Sequence, residues 1–142
     1  MHCKFEKCYN NLISTLYGGG VNINFCEFKD IKVINPNPNC YVFAIDLKRS
    51  KDSNSSSSSI KNCIFDGVKL INDYLIGTST CEKPKGYVGH VNECTFKNIT
   101  TNYKSKRIIK EDLKYETAFK KIKSFKAISV YNCRGLDNVK TE

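Results

Sequence analysis

The sequence predicts an all-β solenoid of about five coils, with loop insertions between them. Two observations lead to this fold class: a short motif recurs five times, and the segments before it alternate apolar and polar residues. Repeats of this kind are typical of stacked architectures, in which each unit buries its apolar face against its neighbours. A chain of 142 residues is long enough for one domain with a continuous core. We therefore expect a single domain over residues 1–142.

The repeated motif is Cys-x-Phe-x-x-(Ile/Val), usually with Asn, Asp or Gly before its last position. Residues two apart in a strand point to the same face, so the Cys and the Phe are predicted to be buried together. The Asn, Asp or Gly tolerates left-handed backbone and indicates a bend, after which the Ile or Val is expected to begin the next strand. The predicted core positions are Cys3, Phe5, Cys26, Phe28, Cys63, Phe65, Cys94, Phe96 and Cys133.

The spacing of the motif cysteines indicates where loops leave the coils. Successive motif cysteines are separated by 23, 37, 31 and 39 residues, and the first interval fits one coil. The longer intervals predict insertions near residues 48–59, which contain a serine run, near 78–86 and near 103–124. The last of these is rich in Lys, with apolar residues loosely at helical spacing. It is expected to be either a short amphipathic helix or an extended hairpin.

Two other folds were weighed against the solenoid. A leucine-rich repeat would show regular Leu, whereas the repeat here is built on Cys and Phe. A β-sandwich would show Asn-Gly or Asp-Gly turns between antiparallel strands. Asp66-Gly67 is the one candidate turn, and it falls at the bend that recurs in the other copies. A bend between short strands of a coil fits this pattern better.

Three segments of the chain resemble coils of the right-handed parallel β-helix, or pectin-lyase-like, superfamily. They are residues 17–28, which combine three glycines with Asn-Phe-Cys-Glu-Phe, and residues 62–68 and 93–100, which carry the motif. The resemblance covers most of the chain apart from the insertions, and it implies a right-handed parallel β-helix. The superfamily includes polysaccharide lyases, glycoside hydrolases, phage tailspikes, autotransporter passengers and surface proteins, so this fold does not determine an activity.

The resemblance also sets an expectation for the chain ends. The first motif begins at Cys3, the last ends at Val139, and the sequence shows no capping helix at either end. An uncovered coil exposes apolar surface and unpaired strand edges. We therefore expect neighbouring β-helix coils or a capping partner at both ends, as in a segment of a longer solenoid.

Candidate catalytic residues come from what the resemblance implies. Lyases of the superfamily use acidic residues to hold calcium and an Arg or Lys as base, and its hydrolases use clustered Asp residues as acid and base. Asp30, Asp66 and Asp137 fall near equivalent bends, and Arg134 follows the last motif cysteine. Asp residues at bends usually make local backbone hydrogen bonds. With no Asp-Asp pair in the sequence, we favour a non-catalytic interpretation.

The basic residues give the candidate binding surface. The formal net charge is +9, but only three of the 23 basic residues are Arg, the residue that best recognises phosphate. Basic side chains concentrate in residues 103–124, interleaved with aromatic residues, which indicates either a surface for an acidic polymer or a solvated loop. No nucleic-acid-binding signature accompanies them, so nucleic acid is not expected. The candidate binding residues are Lys104, Lys106, Arg107, Lys110, Lys120 and Lys121.

The cysteines are interpreted as core residues. They fall about one to a coil, no CxxC pair is present and the two histidines do not cluster, so neither a metal nor a cofactor is expected. Cys40 and Cys81 lie outside the motif and could form a disulfide in an oxidising compartment.

The expected function is a non-catalytic β-helical segment of a secreted or cell-surface protein, acting in structure, adhesion or carbohydrate binding. No apolar run is long enough to span a bilayer, and the first residues do not resemble a signal peptide. Two alternatives remain open. The chain could be a fragment of a polysaccharide lyase or glycoside hydrolase of the same fold, or a polyanion-binding module that uses the basic insertion.

Overall fold

A computed structural model of the protein describes residues 2–16, 19–50, 57–80 and 82–142. Over these residues the protein is all-β, with one short 3-10 helix at Leu136–Asn138 and no α-helix. No helix in these ranges is long and apolar enough to cross a membrane. The strands are β1 (Lys4–Glu6), β2 (Ile13–Ser14), β3 (Asn22–Asn24), β4 (Glu27–Ile34), β5 (Ile45–Asp46), β6 (Ser58–Lys61), β7 (Ile64–Ile71), β8 (Ile76–Gly77), β9 (Gly89–Asn92), β10 (Thr95–Thr101), β11 (Asp112–Glu116), β12 (Ile122–Lys126), β13 (Ile128–Tyr131) and β14 (Lys140–Thr141).

Three parallel sheets contain every described strand except β11 and β12. Sheet A has the order β1-β4-β7-β10-β14, sheet B the order β2-β5-β8, and sheet C the order β3-β6-β9-β13. The chain enters A, B and C in rotation three times before β10. All pairs within the three sheets are parallel. The prediction of an all-β fold is therefore confirmed, together with its parallel strands.

The repeated motif aligns across sheet A. Phe5 pairs with Phe28, Phe28 with Phe65, and Phe65 with Phe96. Their ring centroids are 4.8, 4.6 and 5.0 Å apart, with planes 2–8° from parallel. These distances match the spacing of adjacent strands, so the rings stack one per strand inside the molecule. Phe28, Phe65 and Phe96 are buried, and Phe5 at the sheet edge is half-buried.

The last copy of the motif departs from the others. Arg134 forms an isolated parallel bridge to Thr95, but the chain then enters the 3-10 helix instead of a long strand. Gly135 has a φ of +87°, and a Cβ there would lie 1.9 Å from the carbonyl oxygen of Phe96. Only glycine fits this close approach. The last copy also has one residue more than the other copies before its apolar position, Val139.

The motif bend is left-handed, as its residue types predict. Asp30, Gly67 and Asn98 have φ values of 55°, 76° and 51°. The prediction that the following Ile or Val begins a new strand is wrong, because pairing resumes after one residue. Strands β4, β7 and β10 each run through the bend. A second set of left-handed residues precedes the motif cysteines: Phe25, Asn62, Glu93 and Asn132.

Side-chain amides connect successive turns of the chain where it leaves sheet A. The Asn102 amide donates to the side-chain oxygen of Asn72 at 2.8 Å, and the Asn72 amide donates to the Asn35 carbonyl at 3.4 Å. Asn35 is buried and the other two are half-buried. Hydrogen bonds of this kind satisfy polar groups that parallel strands leave unpaired at a corner.

The predicted insertions have different structures. Strands β11 and β12 form an antiparallel hairpin, the second of the two structures expected near residues 103–124. Before it, Ile108 and Ile109 are buried, and Ile109 bridges to Ile76 of sheet B. In 48–59, residues 51–56 lie outside the described part of the chain, and the last two belong to β6. The described residues of 78–86 contain no strand.

Candidate functional site

Three tyrosines form an aromatic cluster where three successive segments pass from sheet A towards sheet B. The rings of Tyr41 and Tyr74 meet edge to face with centroids 5.3 Å apart, and those of Tyr74 and Tyr103 are tilted at 5.1 Å. All three side chains are half-buried. Aromatic pairs prefer these geometries and separations. The cluster therefore presents a continuous aromatic surface across three turns of the chain.

Asp73 fixes the backbone around this cluster. Its side chain is fully buried. One carboxylate oxygen accepts hydrogen bonds from the Val42 N–H at 2.7 Å and the Asn35 amide at 3.0 Å, and the other from the N–H groups of Phe43 at 3.0 Å and Tyr74 at 2.7 Å. A buried carboxylate needs such donors to offset its lost hydration. Asp73 thus holds the segment after Tyr41 against the backbone of Tyr74.

Phe43 and Gly77 fix the same segment from inside. Phe43 has a φ of 53°, rare for a bulky residue, and its ring is buried. A Cβ at Gly77 would lie 2.2 Å from a carbon of this ring, so position 77 has no room for a side chain. The Tyr41 ring lies 5.6 Å from that of Phe43. The strained backbone at Phe43 is therefore held by a ring contact and by the hydrogen bond from its N–H to Asp73.

Two basic residues, Lys110 and Arg107, lie near the tyrosines. The Lys110 ammonium is 5.6 Å from the ring centroid of Tyr41 and 5.8 Å from that of Tyr74, within the range of cation–π contacts. Burial lowers the pKa of Lys110, and the nearby positive charges of Lys114 and Arg107 lower it further. We call Tyr41, Tyr74, Tyr103, Arg107 and Lys110 the tyrosine site.

The hydroxyls of Tyr74 and Tyr103 have raised pKa values and remain protonated at neutral pH. Burial raises the pKa of Tyr74, and the charge of Arg107 only partly offsets this. Burial also raises the pKa of Tyr103, together with the neighbouring Tyr41. A neutral phenol can both donate and accept a hydrogen bond. The site therefore combines apolar ring faces, neutral hydroxyls and two positive charges.

The structure divides the predicted binding residues between two elements. Arg107 and Lys110 belong to the tyrosine site, and Lys104 and Lys106 are exposed on the same segment. Lys120 and Lys121 lie instead at the turn of the β11–β12 hairpin, where the Lys120 N–H donates to the Thr117 carbonyl. The predicted set therefore does not lie on one element.

Of the candidate catalytic residues, Asp30 and Asp66 stand on adjacent strands, and Asp137 and Arg134 lie elsewhere. Asp30, Asp137 and Arg134 line three separate cavities. Asp66 accepts a hydrogen bond from the Asn98 amide at 2.8 Å. Asp137 is exposed within the 3-10 helix. Acid–base chemistry on a glycosidic bond needs two carboxyl groups held across that bond, whereas the Asp66 carboxylate is engaged by Asn98, and Asp137 and Arg134 line other cavities than Asp30.

Three of the five motif cysteines are buried in the interior, and Cys3 and Cys133 are half-buried. Cys26, Cys63 and Cys94 are buried, and the Cys63 thiol donates to the Lys61 carbonyl at 3.3 Å. Burial raises the pKa of Cys26. Hydrogen bonds with the thiols of Cys133 and Cys63, together with burial, raise the pKa of Cys94. Within the described ranges, no three His, Cys, Asp or Glu side chains are placed to hold a metal ion.

The predicted pairing of Cys40 with Cys81 lies partly outside the described structure. Cys40 is exposed, and Cys81 falls outside the described residues. The pairing therefore stays a prediction.

Sequence reasoning missed Tyr41 and Tyr74, whereas Arg107 and Lys110 of the tyrosine site are among the predicted binding residues. Tyr103 falls in the basic stretch at residues 103–124. Tyr41, Tyr74 and Tyr103 stand at different distances from the motif cysteines, so the repeat does not align them. The one available signal was Asp73, an acidic residue between a strand that ends at Ile71 and the buried Leu75.

Comparison of the chain with protein family models, with curated proteins and with solved structures found no significant match. What the chain binds must therefore be inferred from the chemistry of its surface. Aromatic faces pack against the C–H faces of sugar rings, and ammonium and guanidinium groups pair with carboxylates. Among the described residues, Asp73 contacts the cluster's backbone through its carboxylate, and hydrogen bonds engage both of its oxygens. The tyrosine site is therefore suited to binding.

Proposed function

We propose that the chain is a non-catalytic segment of a secreted or cell-surface protein that binds an acidic polysaccharide at the tyrosine site. The observation that carries this proposal is the Lys110 ammonium held over the rings of Tyr41 and Tyr74. A uronate residue offers an apolar ring face to the tyrosines and a carboxylate to Lys110. Arg107 is placed to pair with a second carboxylate or with the next sugar.

We further propose that sheets A, B and C are the three faces of a right-handed parallel β-helix of the pectin-lyase-like type. Its support is the rotation of the chain through the three sheets and the in-register alignment of the motif phenylalanines. In a solenoid of about five coils, the motif cysteines would form a ladder beside the phenylalanine stack. The tyrosine site would then lie on the loops that join two faces, where binding residues of scaffold proteins concentrate.

The preference for binding over catalysis rests on the acidic residues. The Asp73 carboxylate accepts four hydrogen bonds and is fully buried, so it has no means of exchanging protons with a substrate. Asp30 and Asp137 line different cavities. A binding role needs no such pair, and the neutral phenols and the cations of the tyrosine site supply what it does need.

Isothermal titration with polygalacturonate oligomers tests the proposal, with neutral galactan oligomers as the comparison. We expect wild type to prefer the acidic oligomer, and we expect Tyr74→Ala and Lys110→Gln each to weaken binding about tenfold, the scale of a partly desolvated cation–π contact. Lys110→Gln changes a half-exposed side chain and keeps the core. Tyr131→Ala and Lys61→Gln, on the outer face of sheet C, are the matched controls.

Two results would count against the proposed function. Equal affinities for wild type, Tyr74→Ala and Lys110→Gln would show that the tyrosine site is not where the glycan binds. New reducing or unsaturated ends in the incubated polysaccharide would show that the chain is catalytic, and Asp30, Asp66, Asp137 and Arg134 would then be substituted in turn.

A further inference from the structure

A groove runs across the outer face of sheet A. A cavity of about 600 Å³ lies over β4, β7 and β10, and its walls include Lys7, Tyr9, Lys32 and Lys69. A second cavity, of about 490 Å³, is lined by Asn138 and Lys140 near β14. Both cavities contain Asn98 and Thr100, so they continue one another along the sheet. We call this continuous depression the sheet A groove.

The groove follows from the left-handed bend in each strand. Lys7, Asp30, Gly67 and Asn98 all have positive φ and occupy the same place in successive copies of the motif. One such residue bends each strand locally, and because the bends are in register they align from strand to strand. At Gly67 the Asp30 carboxylate takes the space of a side chain, since its oxygen lies 2.9 Å from the Cβ position.

A row of cations flanks the groove. In the parallel register Lys32 pairs with Lys69, Lys69 with Thr100, and Thr100 with Lys140. Because adjacent strands are ~4.8 Å apart, the first two lysines start from backbones one strand apart and the third is two strands further on. Lys32 and Lys140 are exposed, and Lys7 adds a fourth ammonium at the β1 side.

The carboxylates near the groove do not balance these charges. Glu142 pairs with Lys69 at 3.2 Å, an exposed ion pair that water and salt weaken. Asp30 supplies a second negative charge. The Lys32 ammonium lies 5.7 Å from the ring centroid of Tyr9, which is 62% exposed. Lys97 lines the second cavity, and the Asp66 carboxylate accepts a hydrogen bond from Asn98, so the groove has five lysines and three carboxylates. This leaves a net positive charge, which is complementary to an anionic ligand.

We propose that the sheet A groove binds a linear sulfated polysaccharide that runs across the strands, at a site separate from the tyrosine site. Lysines aligned in register across the strands, separated by one strand and then by two, suit a linear polymer whose anionic groups repeat along its length. The Asn98 amide and the Thr100 hydroxyl offer hydrogen bonds to sugar hydroxyls and sulfate oxygens. Single-stranded nucleic acid fits less well, because the two aromatic residues that line the cavities are Tyr9, which is exposed, and Phe96, which is buried, so a series of bases has no continuous stacking surface.

The test compares two double variants of the full chain that lose the same charge. Lys32→Gln/Lys69→Gln alters the groove, and Lys61→Gln/Lys123→Gln removes two exposed lysines from sheet C and the hairpin. The affinity for a heparin oligomer is measured across a range of salt concentrations. We expect the groove variant to lose at least about tenfold in affinity and its slope of log K against log salt to fall by about two, because two fewer counterions are released. The control variant should keep a slope near that of wild type.

Three outcomes would overturn the proposal. Equal losses in both double variants would mean that heparin responds to net charge alone. Equal binding of single-stranded DNA with the same dependence on Lys32 and Lys69 would assign the groove to a different polymer. A loss of heparin binding in Tyr74→Ala without a loss in the groove variant would place both glycans at the tyrosine site. The groove variant should bind polygalacturonate as wild type does, so this test and that of the tyrosine site succeed or fail separately.

Discussion

Asp73 is fully buried, and its two oxygens accept hydrogen bonds from three backbone N–H groups and one side-chain amide. A carboxylate with only donors around it cannot be replaced by a group that also donates. Its partners lie on two successive turns of the chain, so this one residue links the loop of Tyr41 to the loop of Tyr74. Its effect on the tyrosine site is indirect, through the backbone positions of those loops.

We expect Asp73→Asn to destabilise the protein by about 2–4 kcal/mol, because the new amide group faces N–H donors in a buried place. Urea unfolding followed by circular dichroism measures this loss. Asp66→Asn is the control, since Asp66 is half-exposed and accepts one hydrogen bond from Asn98. It should cost under about 1 kcal/mol. Similar losses in the two variants would contradict the role assigned to Asp73.

The strands of sheet A depend on the phenylalanine stack. Phe65 has a ring on each side, at 4.6 and 5.0 Å, whereas Phe5 has a single neighbour and is half-buried. Burial and stacking both contribute to stability, and both are greater in the middle of the stack. Phenylalanine at the same motif position therefore contributes more to stability in the middle of sheet A than at its edge.

Phe65→Ala is expected to cost about 3–5 kcal/mol, the range for an aromatic residue removed from a core. Phe5→Ala should cost about half as much or less, because part of its ring already contacts water. Chemical denaturation of both variants under one set of conditions makes the comparison. Equal costs would contradict the smaller contribution assigned to the half-buried ring at the edge of sheet A.

On the scale of the whole molecule, stability should be greatest in the middle of the sheets. Strand β7 pairs on both sides along most of its length, and β4 pairs with β7 along most of its length and with β1 over three residues, while β1 and β14 pair on one side. The β11–β12 hairpin pairs only with itself, and most of its side chains are exposed. In stacked architectures each unit is stabilised by its direct neighbours, so local opening depends on position.

Hydrogen–deuterium exchange tests this order. Peptides that cover β4 and β7 should exchange most slowly among the strands, and those of the hairpin and of β1 should exchange fastest. Equal protection of the hairpin and of β7 would contradict this order. It would mean that the hairpin packs against a further surface, although most of its side chains are exposed.

The repeat indicated the all-β class and the parallel strands because Cys-x-Phe and the following bend impose the same geometry on every strand. It also placed Asp30, Gly67 and Asn98 at a left-handed bend. It could not indicate the tyrosine site, since Tyr41, Tyr74 and Tyr103 reach one surface through loops of different length. The lysines of the sheet A groove are an intermediate case. Lys32 and Lys69 stand six residues after their motif cysteines, a regularity visible in the sequence but hidden among twenty lysines.

The chain leaves the parallel sheets to form the β11–β12 hairpin and returns to them at nearly the same point. The N–H groups of Ala127 and Ile128 both donate to the carbonyl of Glu111, at 2.8 and 3.2 Å. The two ends of the hairpin segment are already held together by these hydrogen bonds. The entropic cost of closing this loop therefore changes only slowly if the segment becomes longer or shorter. Mutation can therefore lengthen, shorten or exchange this segment while the parallel sheets stay as they are. This position is suited to the evolution of new binding specificity and to the grafting of a foreign peptide.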